Sequence, residues 1–221
     1  MIPDEAERTL ALIKRLKKAY PTAHCALNHA NAFELLVATI LSAQCTDERV
    51  NIVTGTLFRK YRGPRDFAAV AQEELERDIH STGFFRNKAK SIRAASQRIL
   101  DEFGGEVPRT MVEILSLAGV ARKTANVVLG NAFGIKSGVV VDTHVSRLSQ
   151  RLGLTRETTP EKIELDLQAL VPKKHWVIFP HWLIFHGRQI CQARRPKCRQ
   201  CSLADVCPSF PIFIATGVAA D

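Results

Sequence analysis

The chain has little of what would carry it into or through a membrane. Its longest predominantly apolar stretch, Leu35 to Ala43, is about half the length a bilayer demands. The opening residues, Met1-Ile2-Pro3-Asp4-Glu5-Ala6-Glu7-Arg8, are acidic and lack an apolar centre, so no secretory leader is expected. No Pro/Gly/Ser-rich linker, low-complexity tract or fixed-period repeat is present, which excludes solenoids and beads-on-a-string arrangements. The strand-like residues amount to Val139-Val140-Val141, too short and isolated for a sheet and better read as an extended connector. Six cysteines in 221 residues are too few for a disulfide-stapled secreted domain. The expectation is a soluble, all-α, intracellular protein.

Acid is also scarce in particular places. Lys and Arg total 31 against 22 Asp and Glu, a formal net charge of +9, which favours a polyanionic partner. Leu167 to Ala204 contains no acid but carries Lys173, Lys174, Arg188, Arg194, Arg195, Lys197 and Arg199. Ile79 to Leu100 is likewise free of acid, with Arg86, Lys88, Lys90, Arg93 and Arg98. Two such windows point to surfaces shaped for phosphates.

What is present is helical periodicity. Asp4 to Ala19 reads as an amphipathic helix with Leu10, Ile13, Leu16 and Lys17 near one face. Phe33 to Ser42 is apolar nearly all round, the signature of a central helix. Asp47 to Tyr61 repeats apolar residues at Val50, Val53, Leu57 and Phe58. Asp66 is placed to cap a short helix, Gln72 to His80 forms another, and Lys88 to Phe103 is long, closed by Gly104-Gly105. Thr110 to Leu117 and Lys123 to Phe133 pair across a Gly119 turn. Asp142 can cap a helix to Leu152, Thr159-Pro160-Glu161 starts the next, and Lys174 to Ile190 reads as the last.

Four of the cysteines fall within seventeen residues as Cys191-x6-Cys198-x2-Cys201-x5-Cys207. Four thiolates satisfy either a tetrahedral zinc or an iron–sulfur cluster, and the spacing alone does not choose. Arg194, Arg195 and Lys197 lie between the first two, so a metal-pinned loop would present three positive charges on a backbone with little entropy left to lose. Between the paired helices, Leu117-Ala118-Gly119-Val120-Ala121-Arg122-Lys123-Thr124-Ala125 is a hairpin whose amides, at a helix N-terminus, can bind a DNA phosphate oxygen.

This hairpin, Val141-Asp142-Thr143-His144 and the cysteine spacing together resemble the endonuclease III family, DNA glycosylase/AP lyases of the helix-hairpin-helix superfamily. Further matches are Leu41-Ser42-Ala43-Gln44-Cys45-Thr46-Asp47, Gly83-Phe84-Phe85-Arg86-Asn87-Lys88-Ala89 and His181-Trp182-Leu183-Ile184-Phe185-His186-Gly187-Arg188. The resemblance runs in order from about residue 5 to 208. It implies a two-lobed fold, with a six-helix barrel over 25–135 and a second lobe made of 1–24 and 136–208. The second lobe would hold a [4Fe-4S] cluster on the four cysteines, and residues 209–221 would be a tail. The partner it implies is duplex DNA carrying damaged bases or abasic sites, bound by a cytoplasmic, nucleoid-associated monomer with no membrane partner. Ala118 and Ala121 stand where the family has Pro and Gly; a left-handed backbone at 121 would make that methyl cost about 1 kcal/mol.

The same resemblance assigns Lys123 as nucleophile and Asp142 as its electrostatic or general-base partner. A helix N-terminus beside Arg122 disfavours a further positive charge and so favours the neutral, attacking amine, and partial burial would add to this. Gln44 would fill the gap left by a flipped base and Phe84 would be a second wedge, since chemistry at C1′ requires the base out of the stack. Gly119, Val120, Ala121, Arg122, His144, Arg194, Arg195 and Lys197 complete the expected DNA contacts. The activity implied is removal of oxidised pyrimidines followed by β-elimination. The competing readings are a non-catalytic iron–sulfur DNA-binding protein and a monofunctional mismatch glycosylase.

Overall fold

A computed structural model describes residues 5–219. Among these residues there are helices, turns and coil but no strand, and Val139–Val141 pairs with no strand. The helices are α1 (Glu5–Ala19), α2 (Ala32–Leu41), α3 (Asp47–Lys60), α4 (Pro64–Ala69), α5 (Gln72–Ile79), α6 (Phe85–Phe103), α7 (Met111–Leu115), α8 (Arg122–Phe133), α9 (Thr143–Arg151), α10 (Pro160–Leu170), α11 (Ile178–Gln189) and α12 (Ser209–Ala215). No helix among the described residues is long and apolar enough to cross a membrane.

The chain divides into two compact units, Cys25–Ser137 and the remainder on either side of it. Cys25–Ser137 carries α2 to α8 around one core. Its centre is α2, where Phe33 and every residue from Leu35 to Leu41 are buried. That all-round burial explains the absence of a polar face in its sequence. Asn31 starts α2 by accepting from the Glu34 amide at 2.9 Å, and Glu34 reaches back to the Ala30 amide at 2.6 Å. Val50, Val53 and Leu57 bury one face of α3, while Phe67 of α4 lies edge-on to Phe33. The end of α3 is tied to α5 by Lys60 and Tyr61, both donating to Asp78 at 2.7 Å.

The other unit has its own core, built on α1, α9, α10 and α11. Buried Leu12, Ile13 and Leu16 form the inner stripe of α1. Leu10 and Lys17, expected on that face, are exposed. The 3.6-residue repeat through Thr9, Leu12, Ile13 and Leu16 outcompetes the alternative stripe because it continues into buried Tyr20. Asp4 lies outside the described residues. Between α9 and α11, a side chain at Gly187 would approach His144 Nδ1 and Arg147 Nη2 to 3.0 Å, so the glycine permits the close approach.

Several helix boundaries differ from expectation for local reasons. Asp66 is not the cap of α4: Gly63 holds that position, and Asp66 reaches back from the first turn to the Arg62 amide at 2.6 Å. α6 begins three residues before Lys88, because Phe84 adopts a left-handed conformation and starts the helix there. α11 begins at Ile178, after a 3-10 turn over Lys173–His175. It is not the last helix, since Ser209–Ala215 of the tail forms α12.

Candidate active site and thiol cavity

The hairpin between α7 and α8 turns at Gly119, whose φ is +76°. The Val120 amide returns to the Leu117 carbonyl at 3.2 Å. A side chain at 119 is excluded twice. The backbone is left-handed, and an added Cβ would stand 2.7 Å from Ser91 Cβ on α6. Ala121 has φ −95°, ordinary extended backbone, so its methyl carries no conformational penalty there. Ala121 gives α8 no side-chain cap. The first-turn amides of a helix have no intrahelical acceptor, so this end of α8 suits an anionic oxygen.

Lys123 is the second residue of α8 and is exposed. The partial burial expected for it is therefore not present. Asp142 caps α9, its Oδ1 accepting from the Val145 amide at 2.7 Å, and is half-buried. The remaining carboxylate oxygen is not used by that cap. Lys123 belongs to Cys25–Ser137 and Asp142 to the other unit. His144, the second residue of α9, is half-buried with Nδ1 3.3 Å from Arg147 Nη2.

Gln44, Phe84 and Gly119 come from three separate loops and line one cavity of about 210 Å³. Gln44 (φ 53°) and Phe84 (φ 48°) are both exposed, and they are the non-glycine residues with positive φ among those described. Phe84 is 63% exposed, a large cost for a phenyl ring that has a core available. Phe85, by contrast, packs against the core. Lys88 departs from the reading of a phosphate-facing stretch. It is buried, and its ammonium donates to two backbone carbonyls.

The four clustered cysteines also come together. Cys191, Cys198, Cys201 and Cys207 line a single cavity, and none is in a disulfide. No three His, Cys, Asp or Glu side chains among the described residues close on a single-ion site. Burial pushes the Cys201 thiol up to about 11 and raises Cys198 and Cys207 as well. Arg151 of α9 braces the loop, donating to the carbonyls of Gln192 and Ala193 at 2.7 Å and to Cys191 Sγ at 3.4 Å. Burial holds His186 down to about 4, hence neutral. A neutral imidazole that accepts the Tyr20 hydroxyl at Nδ1 (2.9 Å) has its Nε2–H to offer Cys201 Sγ at 3.5 Å. Arg194 and Arg195 are exposed and Lys197 is half-buried. Sequence reasoning missed Arg151, Tyr20 and the tail: Phe210 and Phe213 of α12 close one side of the cavity, with Arg151 stacked 4.9 Å from the Phe213 ring.

Residues 37–173 match the HhH-GPD superfamily of base excision DNA repair proteins. Endonuclease III of Synechocystis sp. is 57% identical over 203 residues, 92% of this chain and 93% of that protein. The chain belongs to the endonuclease III family. Endonuclease III of Bacillus subtilis is 49% identical, covering 88% of this chain and 89% of that one. Among solved structures, a trapped endonuclease III–DNA covalent intermediate aligns with a TM-score of 0.89 at 45% identity, over 95% of this chain and 98% of that chain. A non-covalent endonuclease III–DNA complex aligns over the same shares with a TM-score of 0.90. Endonuclease III relatives therefore match both units and not the hairpin alone.

The two hairpin positions separate cleanly by stability. Gly119→Ala should lose roughly 1–2 kcal/mol from its left-handed backbone alone, with the Ser91 clash adding to it. Ala121→Gly should change stability by less than about 1 kcal/mol. Urea denaturation of both variants checks this, and equal losses would contradict the assigned backbone at 119 and 121.

Proposed function

We propose that this chain is a bifunctional DNA glycosylase/AP lyase that removes oxidised pyrimidines from duplex DNA and then nicks the strand 3′ to the abasic site. The observation that carries the reading is the joint presence of Lys123 in the first turn of α8 and Asp142 at the cap of α9, in a chain similar over nearly its whole length to an endonuclease III trapped covalently on DNA.

The chemistry follows from those groups. The Lys123 amine attacks C1′ of an extruded nucleotide, and the C1′–N bond to the base breaks, its electron pair leaving with the base, which takes up a proton. The developing positive charge on the sugar is offset by the Asp142 carboxylate. Loss of the amine's proton and opening of the sugar give a Schiff base between Nζ and C1′. Removal of a C2′ proton then expels the 3′ phosphate by β-elimination, and water releases the enzyme. Extrusion leaves a hole in the duplex, which Gln44 fills against the unpaired base while Phe84 wedges beside it. The first-turn amides of α8, with Gly119 to Arg122, hold a backbone phosphate, and Arg194, Arg195 and Lys197 hold others.

The four cysteines fit a [4Fe-4S] cluster by their donor set: four free thiols on one short loop around one cavity, with donors from Arg151 and His186 already aimed at sulfur. When bound, such a cluster fixes the loop, and with it the three basic residues it carries. All four protein positions being thiolates, it serves structure and DNA contact rather than hydrolysis.

Lys123→Gln should abolish cleavage of a duplex containing one thymine glycol while retaining binding to it; full cleavage would contradict the assignment. Asp142→Asn should slow base release by at least about tenfold, a loss of roughly 1.4 kcal/mol of transition-state stabilisation. Purified under anaerobic conditions, the protein should be brown with iron near four per chain; stoichiometric zinc without iron would refute the cluster.

A further inference from the structure

Lys88 is a lysine where a lysine is expensive. It is 5% exposed, burial pushes its pKa down, and its two partners are carbonyls rather than a carboxylate. Its Nζ donates to Leu41 O at 2.7 Å and to Thr82 O at 2.8 Å. Leu41 is the last residue of α2, three before Gln44, and Thr82 stands two before Phe84. Both carbonyls therefore belong to the roots of the two loops that carry the left-handed non-glycine residues.

That strain needs something to hold it, since an L residue leaves the left-handed region when its surroundings allow. A surface lysine would leave both loops untied, and an apolar residue would leave two buried carbonyls without a donor. One ammonium satisfies both and joins them through a single atom. One turn further along α6, Ser91 packs under Gly119, so the same helix face also seats the hairpin.

We propose that Lys88 is a positioning residue that couples the Gln44 and Phe84 loops, so that both side chains enter the duplex in one fixed register. The inference rests on the reading of Gln44 and Phe84 as inserting residues, and the experiment separates the two. Each of Gln44→Ala, Phe84→Ala and Lys88→Met is bound to a duplex carrying 2-aminopurine opposite a thymine glycol, and single-turnover base release is measured beside cleavage of a preformed abasic site. Lys88→Met should lose most of the fluorescence change and at least tenfold in base release. Cleavage of the abasic site, which has no base to unstack, should fall less than threefold. If the two alanine variants alter the signal and Lys88→Met does not, the coupling is overturned. If the alanine variants leave it unchanged, the insertion reading itself fails. Should Lys88→Met lack a cooperative melt, Lys88→Gln is examined by hydrogen exchange: faster exchange in both segments 41–45 and 82–85 with α3 unchanged supports the coupling, and unchanged or single-loop exchange overturns it.

Discussion

The close approach of Gly119 to Ser91 sets where α8 begins. With no side chain at 119 and a φ of +76°, the chain reverses in the few residues between α7 and Arg122, and Lys123 falls in the first turn of the new helix. A side chain at 119 would push the hairpin off α6 and displace the amides and the amine together. α6 bears on more than the hairpin. Its N-terminus is set by the left-handed Phe84, Lys88 reaches the end of α2, and Ser91 underlies the hairpin. Three loops distant in sequence thus share one rigid reference.

The second unit uses a different means to a similar end. Its thiol loop sends one fully buried side chain, Leu203, into the core, and is otherwise held by bonds from α1, α9 and α11. Arg151 is central to this, touching the loop backbone, a cysteine sulfur and the Phe213 ring. Guanidinium suits that role because its planar fork meets several acceptors at once and stacks on aromatic faces. The exposed charges of Arg194 and Arg195 are then presented by a loop whose ordering entropy is largely spent before any ligand arrives.

Those features visible in the sequence are the ones governed by local rules. α2 and α3 could be read from periodicity, the cap at Asp142 from residue type, and the turn at Gly119 from a glycine between two helical patterns. The cysteine loop was legible because four thiols so close together have few other uses. What was hidden depends on distant partners. Lys88 looks like any basic residue in an acid-free stretch, and its burial follows from a carbonyl 47 positions away. The start of α6 was misplaced because a phenylalanine in a left-handed conformation leaves no signature in composition. The tail gave no helical signal, with prolines at 208 and 211, and its helix places Phe210 and Phe213 against the thiol cavity.

The central claim is that a lysine side chain forms the covalent bond to the sugar. Reduction with borohydride during turnover on a thymine-glycol duplex, followed by peptide mapping of the adduct, tests it most directly. The account predicts one adduct per chain, on Lys123. An adduct on another lysine would contradict the assignment, and base release with no adduct, from iron-loaded protein, would contradict the lyase mechanism.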